Sequence, residues 1–369
     1  MNLRELGWNR FFEEHFTDYK QKGLVPARVI REHKHIYQVH TDDGPISAAL
    51  AGKIDYDAQT KADYPTVGDW VAIKLIPNED KAVIRAVLPR KSKFTRKSVS
   101  KADEEQVIAV NIETVFLVTS LDEDFNLRRI ERYLVLAWDS GAAPVIILNK
   151  SDLCDDVEYY ISQIKFVAPD VPIHPISATE GNGIEPLFEY LGSGKTVSLL
   201  GSSGVGKSTL INTILGIEQL AVAPVREDDS KGRHTTTHRE LILLPQGGAM
   251  IDNPGMRQLH MWVDQDSVKR AFEDIELLAE NCRFRDCSHD HEPGCAVIEA
   301  LEEGKISLQR IENFQKLKDE INLLEIRQEQ NRKAKEIAQQ RKKINKVTKS
   351  IRKRRKRNAK RNRKEAISD

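Results

Sequence analysis

The sequence predicts a multidomain α/β protein: a small N-terminal β-barrel, an α/β domain with a mostly parallel sheet, and a helical C-terminal region. Three observations lead to this fold class. Short β-type runs separated by turn residues fill residues 24–97, strand and helix patterns alternate from about residue 108, and a Cys/His cluster interrupts polar helical sequence after residue 262. Alternating strands and helices are typical of a parallel sheet with helices on its faces.

Size and composition suit this division. The chain has 369 residues, of which 40% are apolar and 31% charged, so two or three domains are expected. No apolar run reaches the roughly 18 residues of a membrane span, and the N-terminal segment lacks the basic-then-apolar pattern of a signal peptide. We therefore expect a cytoplasmic protein with no membrane partner, and we treat it as a monomer.

The domain boundaries follow changes in the sequence pattern. We place a helical lead-in at residues 1–23, the barrel at 24–105, the α/β domain at 106–262, a helical domain with the Cys/His cluster at 263–330 and a basic tail at 331–369. The five β-type runs of the barrel are VPARVIR, IYQVHT, ISAAL, WVAIKLI and AVIRAVL. Five short strands at this spacing favour a barrel, and a small sandwich is the alternative.

The clearest motif is a phosphate loop. Residues 201–208, GSSGVGKS, match G-x-x-x-x-G-K-[ST] between an apolar strand pattern and a helical pattern. Glycines let backbone N–H groups surround phosphates, and the helix N-terminus adds its positive dipole end. We expect Lys207 to reach the β- and γ-phosphates and Ser208 to bind Mg²⁺. The predicted phosphate-binding residues are Gly201, Ser202, Ser203, Gly204, Val205, Gly206, Lys207, Ser208 and Thr209.

A base-reading motif lies upstream of the phosphate loop. Residues 149–152, NKSD, end the strand pattern PVIILN and match N-K-x-D. The Asp152 carboxylate can accept hydrogen bonds from guanine N1–H and from its exocyclic amine, a donor pair that adenine lacks. Lys150 can cover the base, and Asn149 can tie this loop to the phosphate loop. Two further residues resemble the short element whose backbone N–H contacts guanine O6: Ser177 and Ala178.

Two switch elements follow the phosphate loop. The segment 231–237, KGRHTTT, is expected to be a mobile loop in which Thr236 binds Mg²⁺, with Thr235 as the alternative. The segment 252–255, DNPG, matches D-x-x-G at the end of the strand pattern GAMID. Asp252 should therefore hold the Mg²⁺ shell, and the N–H of Gly255 should meet the γ-phosphate.

Met256 follows this motif, at the position where Ras-like proteins carry the glutamine that orients the attacking water. A thioether cannot orient water, so we expect slow intrinsic hydrolysis and a substitute from elsewhere in the chain or from a partner. His234 in the switch loop is the internal candidate, and a plain surface histidine is the alternative. The predicted catalytic residues are His234, Thr236 and Lys207.

The motif order is a cyclic shift of the order found in small GTPases, because NKSD and SA precede the phosphate loop, HTTT and DNPG. Such a shift is physically permitted, since domain termini often lie close together. With the flanking segments LPRKSKFTRK (88–97), KGRHTTT (231–237) and CRFRDCSHDHEPGCAV (282–297), this order resembles the ribosome small-subunit-dependent GTPase A family. The resemblance covers about residues 24–315.

This resemblance implies an OB-type barrel at the N-terminus, a circularly permuted GTPase domain and a C-terminal zinc domain. It also implies a GTP hydrolase that binds the small ribosomal subunit late in its assembly. Hydrolysis of GTP to GDP would be stimulated by the subunit and would drive release, and the family's proposed catalytic histidine falls on His234.

The Cys/His cluster offers three thiolates and one imidazole, which is a closed tetrahedral set typical of structural Zn²⁺. Its members are Cys282, Cys287, His289 and Cys295. His291 is the competing nitrogen ligand. A domain this small has little core, so a bound metal would hold it together. Cys154 lies far away in the sequence and is expected to be a plain thiol.

The charge distribution indicates a polyanionic partner. From Arg341 to Lys364 there are fifteen Lys or Arg and no Asp or Glu, which with a total charge of +1 leaves −14 for the rest. We expect this tail to bind rRNA of the small subunit in a salt-sensitive way. A basic flank of the barrel is expected to add RNA contacts: Arg90, Lys91, Lys93, Arg96 and Lys97.

Two other functions stay open on the sequence alone. One is a nucleotide-gated RNA-binding module that barely hydrolyses GTP, which the methionine at position 256 supports. The other is a phosphate-loop ATPase or kinase in which NKSD is a coincidence. The expected ligands of the leading hypothesis are GTP and GDP with Mg²⁺, together with one structural Zn²⁺.

Overall fold

The computed structural model describes residues 1–33, 36–58, 60–97, 105–216, 240–252 and 265–323, together with residues 325, 326, 329, 330 and 333. The chain divides into two compact units, residues 1–318 and residues 319–369. The barrel, the nucleotide-binding domain and the Cys/His cluster lie in the first unit. The described residues of the second unit are helical, as the sequence predicts. Within the described ranges, no helix is long and apolar enough to cross a membrane.

Five strands form the predicted N-terminal barrel. They are β1 (Val25–His33), β2 (Ile36–Thr41), β3 (Gly44–Leu50), β4 (Trp70–Leu75) and β5 (Lys81–Val87), with a short helix α2 (Gly52–Asp57) after β3. The strand order is β1-β2-β3-β5-β4, and β4 pairs back onto β1, which closes the barrel. Closure satisfies the backbone groups that an open edge would expose. The sandwich alternative is therefore wrong.

The predicted lead-in contains a helix, α1 (Arg10–Gln21), that packs its aromatic face on the barrel. The side chain of Asn9 caps the helix by accepting a hydrogen bond from the N–H of Phe11 at 3.1 Å. Phe12 and Phe16 are buried, and the Phe12 ring lies 5.5 Å from that of Trp70 in β4. Aromatic burial of this kind fixes the lead-in to the barrel.

The nucleotide-binding domain has the predicted, mostly parallel sheet. Its strands are β8 (Thr114–Ser120), β9 (Ala143–Asn149), β10 (Ile173–Pro175), β11 (Thr196–Leu200), β12 (Glu240–Leu243) and β13 (Ala249–Asp252). They lie in the order β10-β9-β8-β11-β13-β12, and among these described strands β12 alone runs antiparallel to its neighbour. The strands β8, β9 and β11 therefore end at the same edge of the sheet, where ligands of such folds bind.

A hairpin of β6 (Lys93–Lys97) and β7 (Glu105–Val110) precedes this sheet, and the sequence analysis did not predict it. The hairpin spans the boundary that we place at residues 105–106. The domain boundaries therefore stay a prediction.

Three helices alternate with the parallel strands: α3 (Leu127–Ser140), α4 (Val157–Val167) and α5 (Lys207–Leu215). The start of α3 is set by Asn126, whose side chain accepts a hydrogen bond from the N–H of Arg129 at 3.0 Å. The helix ends at Gly141, which takes a left-handed conformation with φ of 83°. Between these caps Ile130 and Leu134 are buried, so one face of α3 covers the sheet.

The barrel and the parallel sheet form one continuous sheet of eleven strands, because β1 also pairs with β12. The pairing aligns Arg31 with Glu240, and their side chains form an exposed ion pair. Strand β12 is followed by β13, the strand that ends in Asp252 of the predicted D-x-x-G motif. The barrel is thus joined by backbone pairing to the part of the sheet that carries a predicted switch.

A buried arginine strengthens this junction. The Arg28 side chain donates hydrogen bonds to the carbonyls of Asn111 at 3.0 Å and Gly68 at 3.3 Å, and to the carbonyl of Leu6. It also donates to the hydroxyl of Thr196 in β11 at 2.9 Å. Burial lowers the pKa of Arg28 to about 10, which still leaves the guanidinium charged at neutral pH.

The predicted basic flank of the barrel is only partly available to a partner. The Arg90 guanidinium binds the buried Asp69 carboxylate at 2.7 and 2.8 Å and donates to the carbonyls of Ala62 and Tyr64. The prediction of an RNA contact by Arg90 is therefore wrong, because its donors face protein. Lys91 is exposed, with its ammonium 5.5 Å from the Phe11 ring. Lys93 is also exposed, and two side chains lie outside the described part: Arg96 and Lys97.

The C-terminal region packs on α3. Its helices are α6 (Gln265–Ala271), α7 (Glu273–Ala279) and α8 (Ala296–Glu302), and residues 308–318 are also helical. Arg310 is 4% exposed and pairs with Glu131 of α3 and, at 2.7 Å, with Asp274 of α7. Asn313 donates a hydrogen bond to the same Glu131 carboxylate at 2.5 Å. These paired charges hold the C-terminal region against the nucleotide-binding domain.

We predict that Arg28→Met lowers the free energy of unfolding by about 3–5 kcal/mol, because it leaves buried acceptors without their donor. Urea unfolding followed by circular dichroism measures the change. Arg31→Met is the matched control on the same strand, and loss of its exposed ion pair should cost less than about 1 kcal/mol. Equal losses for the two variants would show that Arg28 does not hold the junction.

Candidate nucleotide-binding site and metal centre

The phosphate loop lies at the carboxyl edge of the parallel sheet. It follows β11, and α5 begins at Lys207, so residues 201–206 form the turn between strand and helix. Gly206 has a left-handed φ of 92°, and a Cβ at this position would lie 2.2 Å from the Asn149 side-chain nitrogen. Glycine at position 206 is therefore required both by its conformation and by its close contact with Asn149.

The side chain of Asn149 joins three predicted motifs. Asn149 is 3% exposed and is the last residue of β9. Its Nδ2 donates a hydrogen bond to the carbonyl of Val205 in the phosphate loop at 2.7 Å, while its Oδ1 accepts one from the N–H of Ala178 at 3.0 Å. The predicted tie between Asn149 and the phosphate loop is therefore present, and the tie to Ala178 is an addition that the sequence did not predict.

The Ser177-Ala178 segment is fixed from two further directions. The Ser177 N–H donates to the carbonyl of Asn182 at 3.0 Å, and the Ala178 carbonyl accepts from the Thr213 hydroxyl of α5 at 2.8 Å. Both Ser177 and Ala178 are buried. The segment predicted to meet guanine O6 is thus held to the helix that follows the phosphate loop.

Lys207 lies along its own loop. Its ammonium donates to the carbonyls of Gly201 at 2.8 Å and Ser202 at 2.5 Å. Ser208 and Thr209 occupy the first turn of α5 and are half-buried. The N-terminus of α5 therefore presents a lysine and hydroxyl groups at one place, beside the positive end of the helix dipole, which is a set suited to phosphate and Mg²⁺.

The base motif turns sharply after β9. Lys150 adopts a left-handed conformation with φ of 62° and ψ of 37°, and a short 3-10 helix (Ser151–Leu153) follows. The Lys150 ammonium lies 2.7 Å from the Asp122 carboxylate. Asp152 is exposed, so its carboxylate is accessible to a base.

The sequence motifs did not predict a role for two residues at this edge of the sheet. Asp122 and Asp124 follow β8, which lies between β9 and β11 in the sheet. Asp122 contacts Lys150 of the base motif, and Asp124 accepts a hydrogen bond from the Ser202 hydroxyl at 2.6 Å. The available signal was their position directly after a buried strand of a parallel sheet.

Part of the predicted site lies outside the described residues. This applies to His234, Thr235, Thr236, Gly255 and Met256. Asp252 ends β13, beside β11, so its backbone is at the same edge as the phosphate loop, whereas its side chain is not described. The catalytic and switch assignments therefore stay predictions.

The four predicted metal ligands lie together, with their ligand atoms within 4.8 Å of one another. The sulfurs of Cys282 and Cys295 are 3.8 Å apart, and the Nδ1 of His289 lies 3.7 and 3.5 Å from them. A tetrahedron with Zn–S bonds of about 2.3 Å and a Zn–N bond of about 2.0 Å has edges of about 3.5–3.8 Å. The donor set therefore fits a zinc ion.

The competing ligand His291 points elsewhere. Its side chain is 91% exposed and pairs with the Asp290 carboxylate at 3.3 Å, while His289 is buried. The alternative that His291 is the nitrogen ligand is therefore wrong. Cys154 is half-buried and, as predicted, is not a member of the metal cluster.

The Cys287 thiol of the cluster opposes ionisation unless a cation is present. Desolvation and hydrogen bonds with the neighbouring thiols of Cys295 and Cys282 raise the pKa of Cys287 to about 12. A zinc ion reverses this preference because it binds thiolates directly. The cluster is suited to hold a metal ion and, with its four protein ligands, leaves no open position for catalysis.

Sequence comparisons agree with this arrangement. The family model described as RsgA GTPase matches residues 87–262, and a model of the ABC transporter family matches residues 186–367. The phosphate loop lies in both ranges, but the base motif lies only in the first. A small ribosomal subunit biogenesis GTPase RsgA of Opitutus terrae is 46% identical over 87% of this chain and 90% of its own length. The RsgA 2 protein of Lactiplantibacillus plantarum is 45% identical over 91% and 94%.

Solved structures show the same fold. The crystal structure of YjeQ from Thermotoga maritima has a TM-score of 0.61 and 30% identity, covering 81% of this chain and 98% of that chain. The structure of YloQ, named as a circularly permuted GTPase, has a TM-score of 0.58 and 21% identity, covering 81% and 95%. At that identity YloQ supports the fold alone.

The fold and the motif order define a circularly permuted GTPase. In this class the base motif precedes the phosphate loop in the chain but lies beside it at the sheet edge, as Asn149 does here. The chain belongs to the RsgA GTPase family, because relatives more than 40% identical match most of its length.

We predict that the purified chain carries zinc and that Cys295→Ser weakens zinc binding by more than roughly 100-fold, because one of four ligands is lost. Metal analysis after dialysis against a graded chelator measures the affinity. Cys154→Ser is the matched control and should retain the zinc content of the parent. Equal zinc retention by the two variants would show that the cluster is not the metal site.

Proposed function

We propose that this chain binds GTP at the carboxyl edge of its parallel sheet, hydrolyses it to GDP and phosphate, and acts in late assembly of the small ribosomal subunit. The observation that supports the nucleotide site is the buried Asn149 side chain, which links the base motif, the Ala178 segment and the phosphate loop. The relatives named as small ribosomal subunit biogenesis GTPases supply the partner.

The residues of the base end are assigned as follows. Asp152 accepts the N1–H and amino hydrogens of guanine, and the stem of Lys150 covers the base. The buried N–H of Ala178 already donates to Asn149. A neighbouring backbone N–H would therefore donate to guanine O6. Adenine leaves the Asp152 carboxylate without its two donors, which accounts for the choice of base.

The phosphate end is assigned to the loop of residues 201–206 and to α5. Lys207 exchanges the carbonyls of its own loop for the β- and γ-phosphates. Mg²⁺ neutralises the charge that develops on the phosphates when it is bound. Ser208, Thr236 and Asp252 would hold it, and oxygen donors of this kind are those that Mg²⁺ prefers. Gly255 donates its N–H to the γ-phosphate.

Hydrolysis needs a group that orients the attacking water. Met256 supplies no such group, so we assign this role to His234, in the same segment as the magnesium threonine. The expected consequence is slow turnover by the chain alone. A ribosomal subunit that fixes the switch segment in its active arrangement would then raise turnover, and loss of the γ-phosphate would release the chain.

The partner and location are proposed on a different basis. The relatives are named for the small ribosomal subunit, and the tail from Arg341 to Lys364 is strongly basic. We propose that the barrel surface and this tail bind rRNA, that the chain acts as a monomer, and that it works in the cytoplasm, where ribosomes assemble. Because Arg90 in the basic flank of the barrel is already paired with Asp69, the tail contributes the larger share of the electrostatic attraction to rRNA.

We predict that the full chain hydrolyses GTP slowly and that purified small subunits raise its turnover at least about 100-fold, whereas large subunits do not. His234→Ala should bind GTP as the parent does but lose the stimulated turnover. Phosphate release at saturating GTP measures turnover, and displacement of a fluorescent GDP by GTP measures binding. Equal stimulated rates for parent and variant would overturn the role of His234, and no stimulation by either subunit would favour the nucleotide-gated binding module.

The same assay tests the basic tail. A chain that ends at Gln340 should need more small subunits for half-maximal stimulation, with the largest difference at low salt, since screened charges contribute less. Its turnover without subunits should be that of the parent, which serves as the internal control. An unchanged subunit requirement at low salt would remove the tail from the interaction.

A further inference from the structure

One loop connects the two ends of the proposed nucleotide site. We call residues 121–126, LDEDFN, the aspartate loop; they run from the end of β8 to the cap of α3. Asp122 and Asp124 are half-buried in it, and Glu123 between them is exposed. The two aspartates contact motifs that follow two other strands, whereas the glutamate faces solvent.

At the base end, Asp122 is surrounded by donors. Its carboxylate accepts hydrogen bonds from the Lys150 ammonium at 2.7 Å, the Ser120 hydroxyl at 2.6 Å and the N–H of Asp124 at 3.0 Å. Partial burial opposes ionisation, but the hydrogen bonds from Lys150 and Ser120 outweigh it and lower the pKa of Asp122. The carboxylate is therefore charged at neutral pH and fixes the position of the Lys150 ammonium.

At the phosphate end, Asp124 holds the phosphate loop. It accepts a hydrogen bond from the Ser202 hydroxyl at 2.6 Å, and Arg129 donates to its two oxygens at 3.1 and 2.8 Å. Arg129 stands in the first turn of α3, which Asn126 caps. A carboxylate beside an anion-binding loop would repel phosphates if it were unpaired, and Arg129 offsets that charge.

We propose that Asp122 and Asp124 are positioning residues that set the base motif and the phosphate loop at the spacing a guanine nucleotide requires. This inference rests on the proposed nucleotide function. The Asn149 side chain gives one link between the two motifs, and the aspartate loop gives a second. Two links restrict a rotation of the loops that one link allows, so the site is arranged before the nucleotide arrives.

The two aspartates act on different parts of the nucleotide. This difference lets an experiment distinguish a positioning role from a role in stabilising the fold alone. Asp122 acts through Lys150, next to the residue that reads the guanine amino group. Its loss should therefore narrow the preference for GDP over IDP, which lacks that amino group. Asp124 acts through Ser202, so its loss should weaken GDP and IDP equally. A residue that only stabilises the fold would change neither the preference nor the affinity of the folded chain.

The experiment compares Asp122→Asn and Asp124→Asn with Glu123→Gln, which removes the same charge from the exposed position of the same loop. Dissociation constants for GDP and IDP are measured by displacement of a fluorescent GDP from the full chain. We expect Asp122→Asn to weaken GDP roughly tenfold and to lower the IDP/GDP ratio of dissociation constants. Asp124→Asn should weaken both about tenfold with the ratio unchanged, and Glu123→Gln should match the parent within about twofold.

A second variant guards against misfolding. Ser202→Ala removes the partner of Asp124 without changing any charge, so it should reproduce the effect of Asp124→Asn, and the double variant should be no weaker than either single one. A parent that does not bind the fluorescent GDP would refute the proposed function itself. A parent that binds it, with Asp122→Asn and Asp124→Asn indistinguishable from Glu123→Gln, would overturn the positioning role alone.

Discussion

The proposed nucleotide site depends on the two hydrogen bonds of the buried Asn149 side chain. They connect the end of β9 to the phosphate loop after β11 and to the segment after β10. Glutamine carries the same amide, with its donor and its acceptor, but is one methylene longer. The close approach explains why glycine stands at position 206, where any side chain would meet Asn149. The predicted base motif, the Ala178 segment and the phosphate loop are therefore held together by one amide.

The permuted motif order changes the chain path but not this contact. The base strand β9 and the phosphate-loop strand β11 lie on either side of β8 in the sheet, whichever of them comes first in the sequence. What the permutation does change is the connection of the last switch strand. Strand β13 is paired with β12, which pairs with β1 of the barrel, and the chain then continues into the zinc region. A change in the predicted switches would therefore have a covalent and hydrogen-bonded route to both flanking parts.

Much of the fold could be predicted from local pattern. The five barrel runs and the strands that lead into the motifs could be predicted because periodicity and turn residues are local properties. The pairing of the barrel with β12 could not be predicted, since pairing between strands some two hundred residues apart leaves no local signal in the sequence. Arg90 shows the same limit: its charge predicted a solvent-facing contact, whereas Asp69 holds it. Asp122 and Asp124 matched no motif, because their role depends on what the neighbouring strands bring to them.

The most direct test of the central claim is a competition between GDP and ADP for the full chain with Mg²⁺, using displacement of a fluorescent GDP. If Asp152 reads guanine beside the phosphate loop, GDP should displace the label at concentrations at least about 1,000-fold lower than ADP, because adenine leaves the carboxylate unpaired. Displacement by ADP at the same concentration as GDP would show that the NKSD segment does not read the base. The site would then be a general phosphate-binding site of the kind shared by ATPases.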